Sequence, residues 1–172
     1  MSAPHIQLRP LEPEDLQLLY EIENDPELRA TSTLGVPCSR YAIKQYIAQA
    51  GSIHETGQLR LIIQTQEPPS TPTSAGTVDL TNYSPVDARA EVGITLLKPF
   101  RGKGIALAAL TRLEAYAATY LRIHSLYAIV PQANQPSRNL FVRAGFAPVA
   151  TLPHWLYRSQ NYEDAILLQK IF

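Results

Sequence analysis

Between residues 101 and 110 the chain reads RGKGIALAAL, two glycines and two cations set directly before a long apolar run. Gly102 and Gly104 carry no side chain, so the backbone there can take conformations closed to other residues and can lie close against a ligand. Where a strand feeds such a loop and a helix leaves it, unpaired backbone N–H groups and the positive helix end converge with no side chain in the way. A phosphate fits that environment. Two familiar phosphate loops do not fit the spacing. A Walker A loop needs glycine in place of Leu97 and a hydroxyl in place of Gly104, and the dinucleotide fingerprint needs glycine or alanine in place of Leu107. A tight strand-to-helix turn that binds nothing is the alternative reading.

Two flanking stretches add polar groups. In ARAEVGITLL, upstream, Ala90, Val92, Ile94 and Leu96 fall on one face of a strand while Glu91, Gly93 and Thr95 fall on the other, which puts a carboxylate on one surface. Downstream, NQPSRNLFVRAGF reads as a helix with Asn134 at its cap, Pro136 in its first turn and Gly145 as its stop. The four histidines, His5, His54, His124 and His154, are scattered and share no ligand spacing with Cys38, so no metal site is expected.

The elements that must hold these groups follow from periodicity. HIQLRPL alternates as a strand, and PEDLQLLYEIEN places Leu16, Leu19 and Ile22 at helical spacing before Asp25-Pro26 breaks the helix. Ser39 caps a second helix, RYAIKQYIAQA, with Ile43, Tyr46, Ile47 and Ala50 on one face. QLRLIIQTQ and AGTVDLTNY are strands joined by the proline-rich turn EPPSTPTS. From Ala106 a helix of about fifteen residues carries Leu110, Leu113, Ala117 and Leu121. SLYAIVP, FAPVATL and EDAILLQKIF complete seven strands beside four helices.

At 172 residues the chain is expected to be one domain, residues 1–172. Fifteen Lys plus Arg balance fifteen Asp plus Glu, so neither nucleic acid nor an anionic membrane is the expected partner. The single cysteine allows no internal disulfide, MSAPHIQLRPLEPEDL shows no charged leader or apolar signal core, and no apolar run approaches the roughly 20 residues that span a bilayer. A cytoplasmic protein is expected.

RGKGIA resembles the Arg/Gln-x-x-Gly-x-Gly/Ala signature of the GCN5-related N-acetyltransferases, whose backbone amides hold the pyrophosphate of acetyl-coenzyme A. The setting is similar too: AEVGI lies about ten residues upstream, and NQPSRNLFVRAGF, about thirty downstream, resembles the family's Asn-x-x-Ser/Ala segment ending in Gly-Phe. The closing WLYRSQNYEDAILLQKIF resembles the spermidine-type and ribosomal-protein-type members, with an aromatic-rich turn before the last strand. The resemblance implies an α/β (α+β) fold: a mixed central sheet of six to seven strands, flanked by about four helices and splayed at the cofactor site. It also implies acetyl-coenzyme A as co-substrate, a primary amine on a small molecule or peptide as acceptor, and direct transfer in a ternary complex.

Residue by residue, it implies that Arg101, Gly102, Lys103, Gly104, Ile105 and Ala106 wrap the pyrophosphate, and that Ile94 and Leu96 pair by backbone with the pantetheine arm. Asn134, Ser137, Phe141 and Arg143 would also meet the cofactor, Asn134 while capping its helix. Acetyl transfer needs the amine unprotonated, which makes Glu91 the candidate general base, directly or through water; a structural pair with Arg89 or Arg60 is its other reading. The family's tyrosine, which gives the thiolate a proton, is replaced by Phe141. Ser137 or Tyr157 could serve instead, no acid could be needed, or the protein could be a non-catalytic acyl-coenzyme A binding module. Glu21, Glu23, Asp25 and Glu27 supply a candidate cluster for a polyamine or diamine acceptor. His154, Trp155 and Tyr157 either line the acceptor groove or form a hydrophobic plug or homodimer contact. Cys38 borders the same groove.

Overall fold

The computed structural model describes residues 5–29, 36–65, 71–158 and 160–172. Among the described residues seven strands form one sheet: β1 (Ile6–Pro10), β2 (Leu59–Thr65), β3 (Thr73–Ser84), β4 (Arg89–Leu96), β5 (Ser125–Pro131), β6 (Ala147–Arg158) and β7 (Asn161–Ile171). Their order across the sheet is β1-β2-β3-β4-β5-β7-β6. Every neighbouring pair is antiparallel except β4 and β5, which run parallel. The expected turn EPPSTPTS lies partly outside the described residues.

Among the described residues six α-helices accompany the sheet: α1 (Leu16–Asn24), α2 (Pro26–Arg29), α3 (Arg40–Ala48), α4 (Ile53–Thr56), α5 (Ile105–Thr119) and α6 (Gln135–Arg143). The expected four are α1, α3, α5 and α6. The other two are one-turn helices, too short for a 3.6-residue period to show. Local chemistry sets the ends. Asp25 stops α1 in an extended conformation, and its carboxylate then accepts the Glu27 N–H at 2.7 Å to start α2. The Ser39 hydroxyl accepts the Ala42 N–H at 3.0 Å and so caps α3. Gly145, at φ +92, ends α6.

The apolar row of β4 behaves as its alternation predicts. Ala90, Val92 and Leu96 are buried in the main core with Val78, Leu126, Ala128 and Leu168 from neighbouring strands. Ile105, Leu110 and Leu113 of α5 and Phe141 of α6 close that core from one side. Each such fully buried leucine is worth roughly 1.5–3 kcal/mol. Leu19 and Ile22 of α1, Ile43 of α3 and Ile62 of β2 are buried outside this cluster. Alternation puts Ile62 and Ile63 on opposite faces of β2, so helices cover both faces of the sheet.

β6 departs from expectation. Its sequence reads as a strand ending near Leu152, followed by an aromatic turn, yet the strand continues through Trp155 and Tyr157 to Arg158. The register against β7 slips between Leu152 and Leu156, where His154 adopts φ +50 and its N–H donates to the Asp164 carboxylate at 2.9 Å. The bulge absorbs Pro153 and lets pairing resume.

Candidate active site

β4 and β5 are paired only from Arg89 opposite Ser125 to Glu91 opposite Tyr127. Beyond that pair β4 runs on to Leu96 alongside β3, and β5 runs on to Pro131 alongside β7, so the sheet opens into a V. The backbone at this opening has a definite polarity. The Leu97 N–H donates to the Ala75 carbonyl on the β3 side at 2.9 Å. Alternation along the strand turns Gly93 and Thr95 the same way, and turns the N–H and C=O groups of Val92, Ile94 and Leu96 toward the gap. On the far side Gln132 bonds Asp164 of the β7 side at 2.9 Å, so Ile129 and Pro131 face the gap too. Among the described residues these edges have no strand partner, and the Leu96 carbonyl takes a bond from the Arg101 side chain.

The glycine loop closes the mouth of the V. Gly102 and Gly104 sit at φ +74 and φ +76, a region that side chains rarely adopt, and Gly104 is the N-cap of α5 without any capping side chain. The helix ladder begins with Ala108 N–H on the Gly104 carbonyl at 3.1 Å, which leaves the N–H groups from Gly104 to Leu107 ahead of it. Nothing lies within 4 Å of where a Gly102 side chain would start. Lys103 and Arg143 are both exposed.

Arg101 is placed differently from expectation. Its Nε donates to the Leu96 carbonyl at 3.0 Å, its guanidinium reaches Glu27 at 3.4 Å, and its own N–H bonds the Lys98 carbonyl. It braces the loop from behind. On α6 the Asn134 carbonyl oxygen accepts the Ser137 N–H at 3.2 Å, leaving the amide nitrogen to other partners. Phe141 is only 3% exposed and meets Phe146 edge-on at 5.1 Å, so the ring expected at the cofactor is a core side chain.

Glu91 stands on the polar face of β4 at the apex of the V, beside Gly93 and Thr95, as alternation predicts. These residues line a groove of about 530 Å³ together with Glu23, Arg60, Asp79 and Trp155. Neither expected arginine pairs with Glu91. Arg89 bonds Asp87, whereas Arg60 bonds Asp79 at 2.7 Å and Glu23 at 2.9 Å with its guanidinium over the Tyr46 ring. Burial opposes charge on both sides of that pair. It pushes the Asp79 carboxyl up despite Arg60, while on Arg60 the charge and hydrogen bond of Asp79 outweigh burial and hold the cation firmly protonated. By formal charge, Glu23, Asp79 and Glu91 against Arg60 and Arg158 leave the groove one negative charge in excess.

The partner Glu91 does have is Asn82, whose amide nitrogen donates to Oε2 at 2.8 Å. Asn82 and Tyr127 went unnoticed in the sequence. For Tyr127 the signal was there, since period two in SLYAIVP sets Ser125, Tyr127 and Ile129 opposite the buried Leu126, Ala128 and Val130.

The remaining acceptor-side candidates divide. Glu21 bonds Gln17, Asp25 caps α2, and Glu27 pairs with Lys98 and Arg101, so of the four acidic residues only Glu23 reaches the groove. Cys38 is stitched to α1 by a pair of 3.0 Å bonds with the Asn24 side chain. Trp155 lines the groove. Tyr157, 64% exposed, does not, and its ring lies 5.0 Å from that of Tyr162.

A parted mixed sheet with an anion-binding helix start at its mouth and a carboxylate at its apex is the frame of an acyl-coenzyme A dependent acyltransferase. Residues 5–147 match the acetyltransferase (GNAT) domain family. The chain belongs to that family and is an N-acetyltransferase that uses acetyl-coenzyme A. It is 27% identical to a spermidine N(1)-acetyltransferase of Escherichia coli over 165 residues, covering 96% of this chain and 85% of that one. Its fold matches the crystal structure of Vibrio cholerae spermidine N-acetyltransferase in complex with CoA and spermine, at TM-score 0.85 and 22% identity over 96% of this chain and 95% of that one. A dodecameric structure of the Vibrio cholerae enzyme matches at TM-score 0.80 and 21% identity, over 96% and 93% of the two chains. Among the described residues no helix is long and apolar enough to cross a membrane.

Proposed function

We propose that the acceptor is a polyamine or diamine and that Glu91 is the general base that frees its reacting amine. The observation that carries this reading is the Glu91 carboxylate at the apex of the parted strands, facing a groove with Glu23 and Asp79 and an excess of negative charge. A dication has a reason to enter such a groove, one nitrogen reaching Glu91 while the other meets the carboxylates deeper in. The names of the Escherichia coli and Vibrio cholerae proteins support the same class of acceptor.

In this reading the backbone N–H groups from Gly102 to Ala106 take the pyrophosphate, with Lys103 adding a screened contact, and Ile94 and Leu96 bond the pantetheine arm as an added strand. Asn134 and Ser137 lie along the α6 side, and Arg143 stands toward the nucleotide end. Glu91 takes a proton from the bound ammonium, the freed amine attacks the thioester carbonyl and the C–N bond forms, and the C–S bond breaks as the nitrogen's second proton leaves with the coenzyme A thiol. No side chain need supply an acid. Phe141 has no hydroxyl, Tyr157 is off the groove, and a thiolate leaves readily, so positioning of the amine carries the rate.

The experiment is a free-thiol assay with acetyl-coenzyme A across spermidine, spermine, putrescine, short peptides and amino sugars. A polyamine or diamine is expected to give the highest kcat/KM; a peptide or sugar amine in first place refutes the acceptor. Binding of acetyl-coenzyme A with no thiol release from any acceptor favours the non-catalytic reading. We also read β6 as a contact between copies of this chain. It is an edge strand, exposed on both faces, with Trp155 and Tyr157 at 55% and 64% exposure. A monomer in light scattering refutes that.

A further inference from the structure

We propose that Asn82 and Tyr127 are positioning residues that jointly fix the Glu91 carboxylate for acetyl transfer, one from each strand flanking β4. The proposal rests on Glu91 as the base. Thr81 lies opposite Glu91 in the antiparallel register and shares its face of the sheet. In a regular strand Asn82 would therefore point to the other face. Here the register slips between Thr81 and Ser84, Asn82 takes φ +49, and its amide is carried across to donate to Glu91 Oε2 at 2.8 Å. Asparagine takes this left-handed conformation more readily than most side chains, and at the bulge the conformation turns its amide toward the carboxylate.

Tyr127 completes the cluster from the other side. It is the register partner of Glu91 in the last pair before β4 and β5 part, so its side chain stands on the same face of the sheet as the carboxylate. Burial, then the Glu91 charge, push the Tyr127 hydroxyl above its ordinary range, so it stays a donor; the Asn82 hydrogen bond and Arg89 pull the other way. The other charged groups facing the cluster are Glu23, Arg60, Asp79 and Arg158. Arg60 is held by Asp79 and Glu23, and Arg89 by Asp87. The neutral Asn82 amide therefore orients the carboxylate with Tyr127 beside it, and among the described residues no cation bonds it.

The test compares Asn82→Gly, Tyr127→Phe and Glu91→Gln. Glycine takes φ +49 without strain, so Asn82→Gly removes the donor and keeps the bulge. With acetyl-coenzyme A and spermidine, Asn82→Gly and Tyr127→Phe are each expected to lower kcat about tenfold. KM for spermidine should stay within about twofold, so that the loss falls on kcat and not on binding of the acceptor. A second readout needs no acceptor: carbon-13 titration of the Tyr127 phenol, assigned by its loss in Tyr127→Phe. That titration should move down in Glu91→Gln and up in Asn82→Gly. Full turnover in both Asn82→Gly and Tyr127→Phe, beside an inactive Glu91→Gln, overturns the positioning role. Full turnover in Glu91→Gln overturns the base reading beneath it. A Tyr127 titration unmoved in both Glu91→Gln and Asn82→Gly overturns the cluster itself.

Discussion

Replacing Lys170 by methionine should cost far more than a surface ion pair is worth, by an amount that depends on pH. Lys170 Nζ lies 2.6 Å from Glu114 Oε2 on α5 and 2.7 Å from the Ala144 carbonyl at the end of α6. Glu114 is 7% exposed, and its buried Oε1 has no hydrogen-bond partner among the described residues. Removing the lysine leaves a carboxylate and a carbonyl buried with no donor. Breaking a buried pair from one side costs about 3–5 kcal/mol. The Lys170 side chain keeps 25% of its surface, so water screens it in part, and the lower end, about 3 kcal/mol, is expected at pH 7.5.

Burial already pushes the Glu114 carboxyl up, against the hydrogen bond and charge of Lys170. Without that lysine it rises further. A group that binds its proton more tightly folded than unfolded adds stability below its folded pKa and loses it as pH rises through that value. The Lys170→Met deficit should therefore shrink as pH falls toward 5. In the double variant Glu114→Leu/Lys170→Met the buried charge is gone, and most of the loss should return, leaving about 1 kcal/mol for the Ala144 carbonyl. Urea unfolding of the three proteins at pH 7.5 and pH 5 measures these terms. A single-variant loss under about 1 kcal/mol, or one equal at both pH values, would refute the reasoning.

Three further outcomes follow from geometry. Gly104→Val puts a β-branched residue at φ +76 on the α5 cap, and should weaken acetyl-coenzyme A binding at least tenfold by calorimetry; normal affinity rejects the loop as the pyrophosphate site. A Cβ at Gly76 would lie 2.0 Å from the Thr95 carbonyl oxygen, an overlap that no rotamer relieves, so Gly76→Ala should lose about 3 kcal/mol in urea, and an unchanged midpoint contradicts it. Burial raises the Asp15 carboxyl, yet the Arg9 bonds at 2.6 and 2.7 Å, the Glu12 N–H and the Arg9 charge together hold it below its usual value. A depressed pKa gives stability that is present above the unfolded value and lost as pH falls through the folded one, so Asp15→Asn should be less stable than the parent at pH 7 by about 2 kcal/mol, and the gap should narrow on acidification below the ordinary carboxylate range. A gap that does not narrow on acidification rejects that assignment.

Local signals made much of the frame readable. Alternation located the strands and the polar face of Glu91; the Ser39 and Asn134 caps and the Gly145 stop set the helix ends they suggested. Readability failed where geometry depends on partners far away in sequence. Pro153 and His154 look like a strand end, and only the bulge against β7 shows otherwise. Arg101 resembles a phosphate ligand until the Leu96 carbonyl claims it. Phe141 keeps the family's ring position, but Phe146 and the core hold it. Tyr127 meets Glu91 only because β4 and β5 pair in one register, which no local pattern encodes.

The most direct test of the account is spermidine-dependent release of free thiol from acetyl-coenzyme A at neutral pH, with the parent and Glu91→Gln side by side and calorimetric affinity measured on both. General base catalysis is worth about 10²–10⁴-fold, so turnover should fall by at least about a hundredfold while affinity for acetyl-coenzyme A stays within about twofold. Equal turnover in the two proteins would contradict the assignment of Glu91 as the base at the apex of the sheet.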